Sequence, residues 1–268
     1  NQLKSRVLSV DGRVLLTEEF VYDARNRLIE HRCDGASNAL PRDAYGNAIK
    51  KQVFRFDGLD NVTRVNTEFD NRLTDDARFY YGADDPCQLT RLTHTYIAGG
   101  YAPEQSFDYD AIGNMLNDER NNRLVYDSQG RLIAVKDPTG VTTLVSYRYD
   151  GHNHLVGVTK GTEPETLRVY EGYNLSYTRQ GNTLTQYLYD GNQPLGQQQV
   201  EDPTQTLLLM TDASPSVIGE CTQTGVTTAT YSAYGIRSSE EEMRTLLAFN
   251  SEVCEELTNW YLLGRGYR

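Results

Sequence analysis

An aromatic residue followed directly by aspartate occurs eight times in this chain: Tyr22-Asp23, Phe56-Asp57, Phe69-Asp70, Phe107-Asp108, Tyr109-Asp110, Tyr126-Asp127, Tyr149-Asp150 and Tyr189-Asp190. Chance pairing of the aromatic rings with the aspartates would give about two. Such an excess marks an internal repeat. The strong copies share the form aromatic-Asp-x-x-[Gly/Asn]-polar-aliphatic, as in Tyr126-Asp127-Ser128-Gln129-Gly130-Arg131-Leu132 and Tyr109-Asp110-Ala111-Ile112-Gly113-Asn114-Met115. Phe56-Asp57 carries Asp60 at the Gly/Asn position, and Tyr189-Asp190-Gly191-Asn192 fits more loosely. With weaker copies near residues 43, 69, 81 and 170, the step averages about 19 residues.

The repeat has the chemistry of a β-hairpin. A second ring sits two residues before the repeat ring in Phe20/Tyr22, Phe54/Phe56, Phe107/Tyr109, Tyr147/Tyr149 and Tyr187/Tyr189. Residues i and i+2 share one face of a strand. Aspartate opens a turn by accepting bonds from N–H groups two residues on. Gly or Asn three residues later suits the left-handed position that ends a type I hairpin loop. The polar-aliphatic step, as in Arg131-Leu132 and His154-Leu155, starts the return strand. One hairpin is marginal in water, so the copies must pair edge to edge into a long antiparallel sheet. The expectation is an all-β chain built as a curved, spiralling antiparallel sheet, its curl set by the twist of strands. Residues 1–205 read as the repeat array. Residues 206–268 read as further hairpins of the same continuous domain, with a short helix near 240–247 from the capping-box pattern Ser239-Glu240-Glu241-Glu242 and the spacing of Met243, Leu246 and Leu247.

Composition excludes several classes. The net charge of −11 argues against nucleic acid as a partner, since phosphate binding needs concentrated Lys and Arg. The longest aliphatic run, Leu207-Leu208-Leu209-Met210, is far short of the ~20 residues of a spanning helix, so no direct membrane insertion is expected. The chain starts at Asn1 without Met or a basic-then-apolar leader, which reads as an excerpt of something longer. Cys33, Cys87, Cys221 and Cys254 are scattered and read as isolated thiols. His152-x-His154 flanks a turn without accompanying ligands, and Cys221 has no base beside it in sequence. Asp84-Asp85 and Asp108/Asp110 fall in turns or strand ends. No hydrolase, zincin or P-loop motif occurs. The expectation is no catalytic residue, no cofactor and no metal. The weight rests on the repeat residues Tyr22, Asp23, Phe56, Asp57, Tyr109, Asp110, Gly113, Tyr126, Asp127, Gly130, Tyr149, Asp150, Tyr189 and Asp190 as structural elements.

These repeats resemble the YD-repeat, or Rhs-repeat, family. The resemblance sharpens toward the C-terminus. Leu207 to Gly219 and Tyr231 to Arg237 resemble the segment just before the end of the family's core. Phe249-Asn250-Ser251-Glu252 and Asn259-Trp260-Tyr261-Leu262-Leu263-Gly264-Arg265-Gly266-Tyr267-Arg268 resemble the start of the Rhs-associated core region, closest to the C component of insecticidal Tc toxin complexes. Pro215, Ala233 and Asn259 depart from the usual residues. The resemblance implies a segment of a hollow bacterial toxin shell around a C-terminal toxin. The partners would be a TcB-like component, or the remaining core of the same chain, and the encapsulated passenger. The product would be made in the bacterial cytoplasm and secreted or delivered, with a self-cleaving aspartate pair beyond Arg268. The alternative is an adhesion module whose tyrosines stack on carbohydrate or a cell-surface receptor.

Overall fold

The computed structural model describes residues 2–255 and 257–262. The described residues form β-strands, turns and three single-turn 3-10 segments, with no α-helix among them. Contacts divide the chain into two compact units, residues 1–108 with 230–238, and residues 109–229 with 239–268.

The first unit holds an eight-stranded sheet from Ser5–Val10 to Glu104–Ser106, in which every strand pairs with its neighbours in the chain. The pairings are antiparallel throughout. Alternation of side chains does the sorting. Along Arg13–Tyr22, Leu16 and Glu18 point inward while Glu19 and Val21 are exposed. Leu16, Cys33, Leu40 and Ala48 form the apolar cluster, with Leu8 against it. Segment 230–238 belongs to this unit: Arg42 N–H donates to Ser238 Oγ at 3.0 Å, and Tyr234 meets Phe54 edge-on at 5.2 Å.

The second unit is itself a run of successive antiparallel strands from Arg123–Tyr126 to Val217–Cys221, with the start of Val226–Tyr231 paired beside the last of them. Its core is larger, with Val135, Leu155, Leu175, Leu207 and Val217 all fully enclosed. Each such aliphatic side chain contributes about 1.5–3 kcal/mol on burial. Of each ring pair along a strand, the earlier ring is the deeper one. Tyr147 and Tyr187 are buried, while Tyr149 and Tyr189 are half-buried against the same cluster.

The helix expected over 240–247 does not form. The segment is extended, with an isolated bridge between Leu247 and Val253. The cause is a carboxylate remote in sequence. Glu220 accepts N–H bonds from Arg244 at 3.0 Å and Thr245 at 3.2 Å, taking donors that a helix would use. Met243 and Leu247 are buried in the sheet's core instead. Of the Rhs-like C-terminal motif, residues 263–268 lie outside the described residues.

Candidate functional site

The repeat aspartates build one five-residue turn over and over. At Asp23 the backbone N–H donates to Arg27 O and the Asn26 N–H donates back to Asp23 O, both at 3.0 Å. Asp23 Oδ1 accepts the N–H groups of Arg25 and Arg27, and Oδ2 accepts the Arg27 side chain. The same paired N–H bonds to Oδ1 recur at Asp57, Asp110, Asp127 and Asp150. Asp43 and Asp212, which lack the preceding aromatic, do likewise. So does Asp118, which the repeat pattern did not reveal. The position three after the aspartate is left-handed at Asn26, Gly46, Asp60, Gly113, Asn121, Gly130 and Asn153, all with positive φ, while Pro215 in the Asp212 turn stands at φ +22°. Gly130, at φ +75°, also has Asn114 Oδ1 only 3.3 Å from where a Cβ would stand. The loops after Tyr170 and Tyr189 are different. Glu171 pairs with Asn174 and Asp190 with Gln193, so these close over two residues, with Gly172 and Gly191 at positive φ.

Bonding lowers these carboxyls below their ordinary range. At Asp23 the Arg27 side chain is the main cause. At Asp57 and Asp110 it is the side-chain amide of Asn61 or Asn114. At Asp150 it is the His154 backbone N–H. At Asp127 desolvation pushes upward and is outweighed by the bonds from Arg131.

Successive turns are tied together. In the first unit Arg27 stacks over the Phe56 ring, 4.7 Å from its centroid, and its Nη1 donates to Asp57 O and Asp60 Oδ1. In the second unit Arg131 lies 5.1 Å from the Tyr149 ring centroid and donates to Asn153 Oδ1 at 2.8 Å. In both, the residue four after one aspartate reaches the aromatic and the left-handed residue of another strong copy, two strands along. Asn61 Nδ2 bonds Pro86 O, and Asn174 Nδ2 bonds Gly191 O, in the same sense. Tyr149 and Tyr81 also donate from their hydroxyls to Leu132 O and Val62 O, just beyond the preceding turns.

The covered face of the second unit's sheet carries a strap formed by the end of the chain. Met243, Leu247 and Val253 enter the sheet's core cluster. Val217 N–H donates to Ala248 O at 3.0 Å, and Asn250 N–H to Ser216 Oγ at 3.1 Å. Val253–Glu255 pairs with Trp260–Leu262, and this ribbon is anchored by Arg168, whose Nη1 lies 2.8 Å from Glu255 Oε1. Both side chains are 3% exposed. This strap was not legible in the sequence, because its anchors Arg168, Ser216 and Glu220 lie 24 to 87 residues away along the chain.

The remaining polar candidates divide clearly. His152 and His154 stack at 6.0 Å, and His154 Nδ1 lies 3.2 Å from its own turn's Asp150 Oδ2. Asp85 accepts the Cys87 N–H. Cys221 Sγ faces Thr222 O at 3.7 Å. None of the four cysteines forms a disulfide. An open groove of about 550 Å³ over the first sheet mixes Arg32, Lys50 and Lys51 with Glu19, Asp34 and Glu68, and so selects no sign of charge. One group stands apart. Glu18, His31 and Cys33 meet on the buried face of strands Arg13–Tyr22 and Leu28–Gly35. No sequence motif drew attention to them, although His31-x-Cys33 places both residues on one strand face.

The whole chain, residues 1–268, matches the Teneurin YD-shell model. The chain belongs to the Teneurin YD-shell family. Two solved structures share this YD-shell fold at 12% identity. The crystal structure of TcdB2-TccC3-TEV has a TM-score of 0.58 and covers 94% of this chain. That of TcdB2-TccC3 without its hypervariable C-terminal region has a TM-score of 0.57 and covers 95%. This chain spans 15% of the length of each of those chains. Among curated proteins no match was found. In this chain the Asp turns close the hairpins and Arg27 and Arg131 tie one turn to another, and with the family match this is a structural shell segment.

Proposed function

We propose that this chain is a length of wall in a Tc- or Rhs-type toxin shell that encloses a C-terminal toxin passenger until delivery. The observation that carries the reading is the match of the entire chain to a shell-forming repeat, with nothing of the 268 residues left over. The fold relative TcdB2-TccC3, solved without its hypervariable C-terminal region, supports a variable passenger at that end. The repeat array at 1–205 supplies the wall. Residues 206–268 supply the start of the core-associated region, and their strap closes one sheet face. The partners are a TcB-like component or further core of the same chain, and the passenger. This reading places the self-cleaving aspartates and the toxin downstream of Arg268 and gives this segment no catalytic part. The product is made in the bacterial cytoplasm and leaves as a secreted or delivered complex. Among the described residues no helix is long and apolar enough to cross a membrane.

The test is expression of the parent gene from its own start to its own stop, followed by size exclusion and a denaturing gel. Two bands from a single native peak are expected, with the smaller one shielded from added protease. A single uncut chain whose passenger is protease-sensitive overturns the reading.

A further inference from the structure

We propose that Glu18, His31 and Cys33 form a binding site for a divalent transition-metal ion of the zinc class. Register brings them together. Glu18 and Cys33 are directly opposite across the antiparallel pair, and His31 precedes Cys33 by two on the same face, opposite Phe20. His31 Nε2 lies 3.0 Å from Glu18 Oε1 and 3.4 Å from Cys33 Sγ. The three donor atoms are all within 4.8 Å of one another. All three residues are enclosed, at 2%, 0% and 4% exposure.

Hydrogen bonding alone does not explain this convergence. Both neighbours address the same nitrogen. Nε2 carries either one proton or one lone pair, so a well-directed bond to the carboxylate leaves the thiol only a weak, shared contact. A nucleophile triad is excluded for the same reason, since it needs the acid on the far ring nitrogen, and here Nδ1 is buried without a partner. A cation at the shared point satisfies all three donors at once. Tetrahedral zinc with ordinary bond lengths sets N···O near ~3.4 Å and N···S near ~3.6 Å, a few tenths of an ångström wider than the spacing here. An N/O/S set with one thiolate suits zinc and cobalt, and not magnesium or calcium. The Arg6 guanidinium holds the other carboxylate oxygen, Oε2, at 2.6 Å, which leaves Oε1 aimed at the site. Phe20 stacks on the His31 ring at 4.8 Å and fixes its plane. On binding, the Cys33 S–H gives its proton to solvent, His31 carries its proton on Nδ1, and the thiolate, imidazole and carboxylate bind the ion.

Enclosure means the ion enters as the chain folds, so loading is tested by refolding the full chain with Co²⁺ and, separately, by expression in zinc-supplemented medium. The expected results are a thiolate-to-cobalt charge-transfer band and about one zinc retained per chain after gel filtration. Cys87→Ser, at an exposed thiol, keeps both signals. Cys33→Ser and His31→Gln lose both, with circular dichroism confirming that each still folds. Absence of band and zinc in the unaltered protein overturns the proposal. So does a signal that survives in a folded Cys33→Ser protein.

Discussion

The buried Arg168–Glu255 pair makes the sharpest energetic prediction in this molecule. It joins the chain-end ribbon to a strand that precedes it by 87 residues. Replacing Arg168 with Met leaves the Glu255 carboxylate enclosed and unpaired. Replacing Glu255 with Leu strands the guanidinium. Losing one partner of a buried pair costs about 3–5 kcal/mol, while exchanging both for apolar groups of similar size is often neutral. The two single substitutions should therefore each open the strap by roughly two to three and a half orders of magnitude. The double substitution should restore most of the loss. Native-state hydrogen exchange reads this locally. The Val217 and Cys254 amides, bonded to Ala248 O and Leu246 O, report on the strap. The amides of the Val62–Phe69 and Thr74–Tyr81 ladder serve as the reference and should not change. If each single substitution alters strap protection by less than tenfold, or if the double costs the sum of the two, the pair does not anchor the strap and the reasoning fails.

Other expectations are narrower. Leu247→Ala should cost about 2–5 kcal/mol in urea unfolding, because Leu247 is 1% exposed within the core cluster, whereas Leu257→Ala, 41% exposed, should change stability by less than about 0.5 kcal/mol. Gly130→Val should cost about 1–2 kcal/mol or more, since φ is +75° there and a branched side chain disfavours that region; an unchanged urea midpoint would contradict the turn assignment. The turn carboxyls at Asp23, Asp57, Asp110, Asp127 and Asp150 are held below their ordinary value of 3.8. The unfolded chain therefore takes up protons first as pH falls. Their contribution is complete above about pH 5 and is lost below 3.8 as pH falls through the folded-state values. Urea midpoints measured from about pH 6 down to about pH 3 should fall, and a flat profile would contradict the turn bonding.

How much the sequence revealed depended on how local the determining contacts are. The hairpins were legible because each is made within a dozen residues: alternation sets the faces, aspartate caps the turn, and Asn or Gly takes the left-handed position. Asp118 escaped notice because its turn lacks the preceding ring, and the ring turns out to serve packing between strands and not the turn itself. Segment 240–247 was misread for a physical reason. Ser239-Glu240-Glu241-Glu242 is a sound local helix start, and it lost to Glu220, whose carboxylate takes the Arg244 and Thr245 N–H groups from a strand beneath. The Glu18–His31–Cys33 group needed the pairing register of two strands, which no spacing along the chain supplies.

The tie from one turn to another has a consequence for how such chains diverge. Arg27 and Arg131 each reach a single further turn, so an alteration in one copy is felt by its neighbours and no farther. A copy can lose its ring, as at Asp43 and Asp118, or shrink its loop, as after Glu171 and Asp190, while the backbone ladder carries on. The specification is thus thinly spread, with little more than an acid and one residue tolerant of positive φ needed at each bend. A polymer written this way can exchange nearly all of its letters and keep its form, which is the condition in which 12% identity and a common fold coexist.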